Sequence, residues 1–571
     1  MAGGGGDRGL SLLQGAACSR GRPAGLPCVR GASQRRFADR QVRPRPPPED
    51  ERGDAPGLAP ETPEPARTTR AVRAVRAWPR RRKVVAVGAV VGLVLAGSGI
   101  AAAVDVVRGH ELRDRLVTAP GGVVGLAAAP AERWRTALDH PRALAIMDGL
   151  LVVAETVPNQ AFGQVVLDAL DPDDGAVRWS TRIGDAHDCG AAPGPVGGWA
   201  PGVGTADTVV CLTGPGADGV VVVVGAGGAI VADRQLAGSA PGEYDLAAPG
   251  AVVRVSRVGP PAVAPLAADG ALTEDFTTRD MLVRLEDAVT GAERWSTTVP
   301  GATAPAGTRV DRMTPCVTWS GSGTPEVTSD ENGLSSDVGA QHATLEACGV
   351  SVTLDLATGA VMRSVDHFDP DQAWDPDVRP LDGGGWATGV PAAAVAGWTT
   401  RVQRDDGTVV GVVDGAVRAP LATDGSPADV LLTDTHGLTG VDPADTSELW
   451  NQPGAHPQPL VRADGVVVVA FETSVVAVDA RTGRELWRKD AFLADVRGEL
   501  LATAFTDGRR AVIAEQVGDL PADGAPGTLR LRALDLATGD VTWSEEKTAP
   551  VPQAVGGRLY ELSDDAVTAL G

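Results

Sequence analysis

The side chains able to do chemistry are few and scattered. Seven His include no HExxH and no pair at ligand spacing, which leaves them as surface or core residues. The segment DHFDPDQAWDPD gathers Asp366, Asp369, Asp371, Asp375 and Asp377, carboxylates enough for calcium. Their spacing is not that of an EF-hand loop, so solvated Asp-Pro turns are the expectation. Gly225, Gly227 and Gly228 in VGAGGAI follow a Val run and imitate a dinucleotide loop, but Ile230 stands at the third Gly position and no helical pattern follows. A hairpin turn is expected there. No catalytic residue, cofactor-binding residue, metal ligand or cofactor is assigned.

Four cysteines fall in the larger part of the chain: Cys189, Cys211, Cys316 and Cys348. They allow three pairings and no zinc site. Pairing nearest neighbours, Cys189 with Cys211 and Cys316 with Cys348, would close short loops worth about 3 kcal/mol each.

What repeats is a spacing rather than a reactive set. In VVAVDARTGRELW, Asp479 precedes Gly483 by four residues and Gly483 precedes Trp487 by four. The same spacing returns at Asp171, Gly175, Trp179, at Asp287, Gly291, Trp295 and at Asp535, Gly539, Trp543. Two copies lose one element: Asp355 and Gly359 are followed by Arg363, and Asp442 and Trp450 bracket Thr446. Alternating apolar residues before each Asp give a strand, the Asp accepts turn N–H groups, and the Gly supplies positive φ. Trp then opens the next strand, where burying about 200 Å² of indole contributes at most ~5 kcal/mol.

A second hairpin precedes each motif, as in GVVVVAFETSVVAVD, so each unit holds four short strands. Packing such units around an axis covers both faces of every sheet, and the architecture expected is an all-β propeller. The C-terminal GGRLYELSDDAVTALG stops where the Asp turn and Trp strand are due, while Trp134 in AERWRTAL has no Asp or Gly at the motif spacing before it. The strand around Trp134 is therefore expected to complete the last blade and close the ring. With weaker units around Val220 to Leu236 and Val409 to Leu421, the expectation is about eight four-stranded blades over 129–571.

The Asp, Thr-Gly, Trp pattern resembles the repeat of pyrroloquinoline-quinone-like (PQQ-like) propellers. One branch of that family, the PQQ-dependent dehydrogenases, holds its cofactor on the axis against a disulfide between adjacent cysteines, with calcium and a catalytic Asp. No two cysteines are adjacent here, so that activity is not carried over. The other branch is non-catalytic and binds proteins or peptides. The resemblance to it implies a binding or scaffolding module, with a PQQ-dependent quinoprotein dehydrogenase as the alternative. Trp199, Trp319, Trp374, Trp386 and Trp398 lie off the motif and are expected to pack in inserted loops.

Composition supports these elements. Gly (72) and Pro (43) are abundant among 571 residues, which disfavours coiled coils and long helical bundles, and 43% hydrophobic residues suffice for a large core. The net charge of -22 divides unevenly: residues 1–83 carry 18 basic and 8 acidic side chains, residues 84–104 none, and residues 105–571 carry 33 basic and 65 acidic. An acidic main domain disfavours nucleic acid as a partner.

The uncharged stretch Val84 to Val104 spans roughly 30 Å as a helix and follows Arg80, Arg81, Arg82 and Lys83. It is read as a single membrane span with a cytoplasmic N-terminus and an extracellular main domain. A cleaved export signal, with Ala101 to Ala103 as its small-residue site, is the alternative. The domains expected are a disordered basic tail (1–83), a transmembrane helix (84–104), a linker (105–128) and the propeller (129–571). The partners expected are the membrane through 84–104 and an unidentified protein or peptide.

Overall fold

The computed structural model describes residues 108–571 apart from 158–163, 191–203, 215–218, 237–243, 261–262, 268–269, 310–315, 320–324, 328–334, 340, 370–377, 382–383, 392–397, 473, 491–502, 518–527 and 549. All of these belong to the unit Val91–Gly571. The tail (1–83) and the apolar segment (84–104) lie outside the described residues, among which no helix is long and apolar enough to cross a membrane.

Strand character follows from what covers each strand. The second and third strands of a blade lie between neighbouring blades and read as nearly unbroken apolar runs, such as Val466–Phe471 (VVVVAF) with five of its six residues buried. The fourth strand alternates: in Val541–Thr548 (VTWSEEKT) exposed and half-buried residues take turns. Charge thus collects on the outer strand, whose edge is open to solvent and would pair with other strands if it were apolar.

Antiparallel sheets built this way number nine among the described residues. Blade 1 runs from Arg142–Met147 to Val177–Gly184, blade 2 from Ala186–Gly190 to Ile230–Gln235 and blade 3 from Tyr244–Ala248 to Glu293–Val299. Blade 4 runs from Ser335–Val338 to Val361–Asp366, blade 5 from Val378–Pro380 to Val409–Asp414 and blade 6 from Ala416–Val417 to Glu448–Pro453. Blade 7 runs from Gln458–Ala463 to Glu485–Lys489 and carries Ala422–Thr423 as a fifth, parallel strand. Blade 8 runs from Thr503–Thr506 to Val541–Thr548. Blade 9 has Gln553–Val555, Arg558–Ser563 and Ala566–Leu570, and takes its outer strand, Glu132–Ala137, from the other end of the chain.

The count of nine corrects the expected eight. The two units without a recognisable motif, 186–235 and 378–414, each supply a whole blade, and the pairing of the two chain ends supplies the ninth.

In all nine ladders between third and fourth strands the register slips just before the Trp position. Such a bulge twists the outer strand and re-aims the next side chain. The residues placed there are Trp134, Trp179, Trp295, Trp450, Trp487 and Trp543, with Ala232, Arg363 and Gly411 in blades 2, 4 and 5.

The stretch before blade 1 is part of this packing. Residues 108–118 are helical, and the chain then crosses blades 7 to 9: Thr423 N–H donates to Pro120 O (2.8 Å), Val123 N–H to Thr506 O (2.8 Å) and Val124 N–H to Gly557 O (2.7 Å). The linker read over 105–128 therefore contributes backbone pairs to the ring from Pro120 onward. At the junction itself, Ala131 and Gly571 exchange N–H···O bonds of 3.1 and 2.9 Å.

Trp134, 8% exposed, sits in a core cluster with Leu151, Leu170 and Tyr560 that spans blades 9 and 1. The variant Trp134→Ala is expected to lose about 3–5 kcal/mol. Urea unfolding followed by circular dichroism measures it.

Candidate functional site

Each Asp of the repeat closes the turn between the third and fourth strands. Asp287 Oδ1 accepts from Thr290 N–H (2.8 Å) and Thr290 Oγ1 (2.9 Å), and Asp355 Oδ1 does the same with Thr358 at 2.7 and 2.8 Å. Asp479 and Asp535 repeat the arrangement with Thr482 and Thr538, whereas Asp171 and Asp442 take the N–H two residues on. Hydrogen bonds to the charged form hold Asp287 well below the usual carboxylate range, at about 2, with the Arg294 guanidinium first and Thr290 next. Asp171 is lowered by the Asp173 backbone and by Arg178, and Asp479 by Thr482.

The Gly of the turn lies beneath the Trp of the preceding blade. Gly483 has φ +65, and a Cβ there would stand 2.4 Å from the Trp450 ring. Gly175 lies under Trp134, Gly359 under Trp295 and Gly539 under Trp487, all with positive φ. The indole nitrogen donates to the carbonyl of the residue after the Asp: Trp134 to Pro172 (3.1 Å), Trp295 to Leu356 (2.9 Å), Trp450 to Ala480 (2.8 Å) and Trp487 to Leu536 (2.8 Å). Trp543 faces blade 9, whose turn is split between the two ends of the chain, and donates to Leu126 O (2.8 Å) instead.

Two departures compensate. Blade 2 has Ala232 at the Trp position, and Arg234 fills the space: its guanidinium lies 3.3 Å from where a Gly291 Cβ would be, and its Nε donates to Ala288 O (3.0 Å). A buried relay continues from Arg234 to Glu286 (3.2 Å), Arg254 (3.0 Å) and Asp245 (2.9 Å). Between blades 5 and 6 the sizes are exchanged. Gly411 occupies the Trp position, and Thr446, at φ +63, occupies the Gly position and packs against it.

One set of residues went unread in the sequence. Two positions beyond the Trp, Thr136, Thr181, Thr297 and Gln452 donate to the carbonyl of the next blade's Gly at 2.6–2.8 Å. The signal was the recurrence of WRT and WST at 134–136, 179–181 and 295–297.

The cysteines form Cys189–Cys211 and Cys316–Cys348. Cys189–Cys211 joins the first two strands of blade 2 within the core shared with blade 1, among Leu144, Met147 and Val209. Cys316–Cys348 ties the connection between blades 3 and 4 to the second turn of blade 4, in a small cluster with Leu272, Phe276 and Phe368. That cluster also holds Ala264, Ala302 and Ala304, drawn from long insertions on the face opposite the Asp turns. Neither bridge joins adjacent residues, and the first is sealed between sheets. Neither therefore reproduces the adjacent-cysteine disulfide that the resemblance implies for the dehydrogenase branch.

Of the remaining candidates, Gly225, Gly227 and Gly228 form the hairpin turn of blade 2, Trp386 and Trp398 lie on strands of blade 5, and Trp319 on a short strand. Trp199, Trp374, Asp371, Asp375 and Asp377 lie outside the described residues. Among the described residues no group of three or more His, Cys, Asp or Glu is placed to hold a metal ion.

A cavity of ≈ 420 Å³ opens where the turns of blades 3, 4 and 5 meet. Arg294, Gln341, Asp355, Trp386 and Asp405 line it along with Leu285, Leu356 and Leu381. Blade 4 lines it with Gln341 and with its turn residues Asp355 to Ala357. Gly384 and Gly385, at φ +86 and +92, let the blade 5 turn fold back, and Gly385 N–H donates to Asp405 Oδ1 (2.6 Å). The cavity mixes an indole, an amide and carboxylates on a rigid frame, the composition of a small-molecule or side-chain pocket.

Comparison with known proteins bears on this frame. Residues 352–568 match a PQQ-repeat family model described as outer membrane protein assembly factor BamB. A curated relative, quinohemoprotein alcohol dehydrogenase ADH IIB of Pseudomonas putida, is 35% identical over 112 residues, covering 19% of this chain and 15% of that protein. Among solved structures, BamB from Moraxella catarrhalis is similar at 14% identity and TM-score 0.35, covering 78% of this chain and 98% of that one. Quinohemoprotein alcohol dehydrogenase ADHIIG from Pseudomonas putida HK5 is similar at 14% identity and TM-score 0.30, covering 74% and 79%.

Two measurements test the turn chemistry. Because the Asp287 pKa is depressed to about 2, its stabilisation is present above pH ~4 and is lost as pH falls through 2. Asp287→Asn is expected to flatten that part of the acid-unfolding curve. Gly411→Trp alone places a Cβ 2.2 Å from Thr446 Oγ1 and is expected to destabilise. Adding Thr446→Gly restores the common pairing, with a coupling of about 0.5–3 kcal/mol in a double-mutant cycle.

Proposed function

We propose, from the match of residues 352–568 to a PQQ-repeat family model, that the chain acts as a binding or scaffolding module of the cell envelope, anchored through residues 84–104. One observation carries the reading: the repeat's Asp acceptors and its Thr and indole donors are engaged in turns and with neighbouring blades. Chemistry is left to the parts that break the repeat, namely the cavity at blades 3 to 5 and the insertions pinned by Cys316–Cys348. A rigid ring that displays irregular loops is how a propeller offers a recognition surface.

Export is supported by the asymmetry of charge around 84–104 and by two disulfides, which persist in oxidising compartments. The family model described as an assembly factor favours a protein or peptide as the partner. A second reading, a PQQ-dependent dehydrogenase, draws on the 35% identity to ADH IIB over 112 residues. Against it stand the two bridges, neither of which joins adjacent cysteines.

Detergent-solubilised full-length protein, supplied with PQQ and calcium, is expected to show no oxidation of alcohols or sugars with an artificial electron acceptor. Turnover above the protein-free control would favour the dehydrogenase. Protease treatment of intact cells is expected to digest the propeller, and its protection would remove it from the cell surface.

A further inference from the structure

The cavity between blades 3, 4 and 5 has a definite electrostatic character. Among the described residues Arg294 is the one cation lining it, and this charge is already matched: its guanidinium donates to Asp287 Oδ2 (2.7 Å) and to Gly250 O (2.9 Å). Asp355 and Asp405 also line the cavity, and among the described residues neither has an ion-pair partner. Asp355 Oδ1 is used by Thr358, and Asp405 Oδ1 by Gly385 N–H. One oxygen of each carboxylate therefore remains for an occupant.

Two copies of the repeat supply their own counter-charge at this point. Asp171 and Asp287 carry an Arg seven residues on, Arg178 and Arg294, which takes the second oxygen. Seven residues after Asp355 stands Met362, just as Leu449, Leu486 and Thr542 follow Asp442, Asp479 and Asp535, so Asp355 is among the copies without this internal counter-charge and is the one of them that lines the cavity. An indole completes the wall: Trp386 packs edge-on against buried His342, with ring centroids 6.2 Å apart. Two carboxylates beside an aromatic ring select a cation with an apolar stem.

We propose that this cavity binds an organic cation, a guanidinium or ammonium head on an aliphatic stem, with Asp355 and Asp405 pairing the head and Trp386 packing on the stem. The source is a free amine or a basic side chain of a polypeptide, and both share this chemistry. The inference deepens the binding reading and rests on it for the use of this face. Failure of that reading, seen as PQQ-dependent turnover, is a different readout from loss of cation binding.

Isothermal titration of the full-length protein in detergent uses three probes: spermidine, arginine amide, and an N-acetylated, C-amidated Gly-Arg-Gly peptide. At least one is expected to bind saturably and more weakly as salt rises. Asp355→Asn with Asp405→Asn keeps both acceptors for Thr358 and Gly385, and is expected to weaken binding at least tenfold with the melting temperature unchanged. Trp386→Leu is expected to weaken it severalfold. Tighter binding of the peptide than of arginine amide assigns the site to a polypeptide, and the reverse order assigns it to a free amine. Absence of saturable binding by all three probes, or binding undiminished in the double variant, overturns the proposal.

Discussion

The fold depends on an indole lying flat over a glycine. A tryptophan from one blade can reach the carbonyl of the next only because the residue beneath it has no Cβ, and that residue also needs the positive φ that glycine adopts at little cost. One contact thus serves two purposes: it turns the chain of one sheet and spaces the next. The bulge just before each tryptophan aims the ring at the neighbouring blade. Repeated around the axis, this contact helps cover the apolar second and third strands of most blades.

Where the indole is missing, the ring is held by other chemistry, and those are the places where it carries features of its own. Between blades 2 and 3 the guanidinium of Arg234 reaches the same carbonyl and draws a buried relay of charges in behind it. Between blades 5 and 6 bulk moves from the outer strand to the turn, at Gly411 and Thr446. Between blades 4 and 5 Arg363 replaces the ring, and the turns of the same two blades line the cavity together with blade 3. A repeat so uniform elsewhere makes such departures conspicuous, since a scaffold that spends its polar groups internally has only its irregular parts with which to meet anything else.

Much of this was legible in the residues. The four-residue spacings from Asp to Gly to Trp fix the turn and the packing partner, and the strand around Trp134 lacked only a sheet to join. The number of blades was harder, because blade 5 keeps neither the Asp-Gly spacing nor the tryptophan, and strand alternation alone does not count sheets. The cavity was hidden for a different reason: Arg294, Asp355, Trp386 and Asp405 come from three blades, and no spacing along the chain brings them together. Trp386 was set aside as loop packing, and Asp405 carried no signal beyond a turn-like RDDGT.

The shared ninth blade links the two ends of the polypeptide, with Arg135 and Asp565 joined at 2.9 Å although 430 residues separate them. During synthesis the strand nearest the N-terminal segment emerges first and waits, unpaired, until nearly everything after it has been made. Closure is therefore a late event of high contact order, and such events are slow. The waiting edge is exposed through most of synthesis, which makes that interval the one in which a chaperone has most to protect.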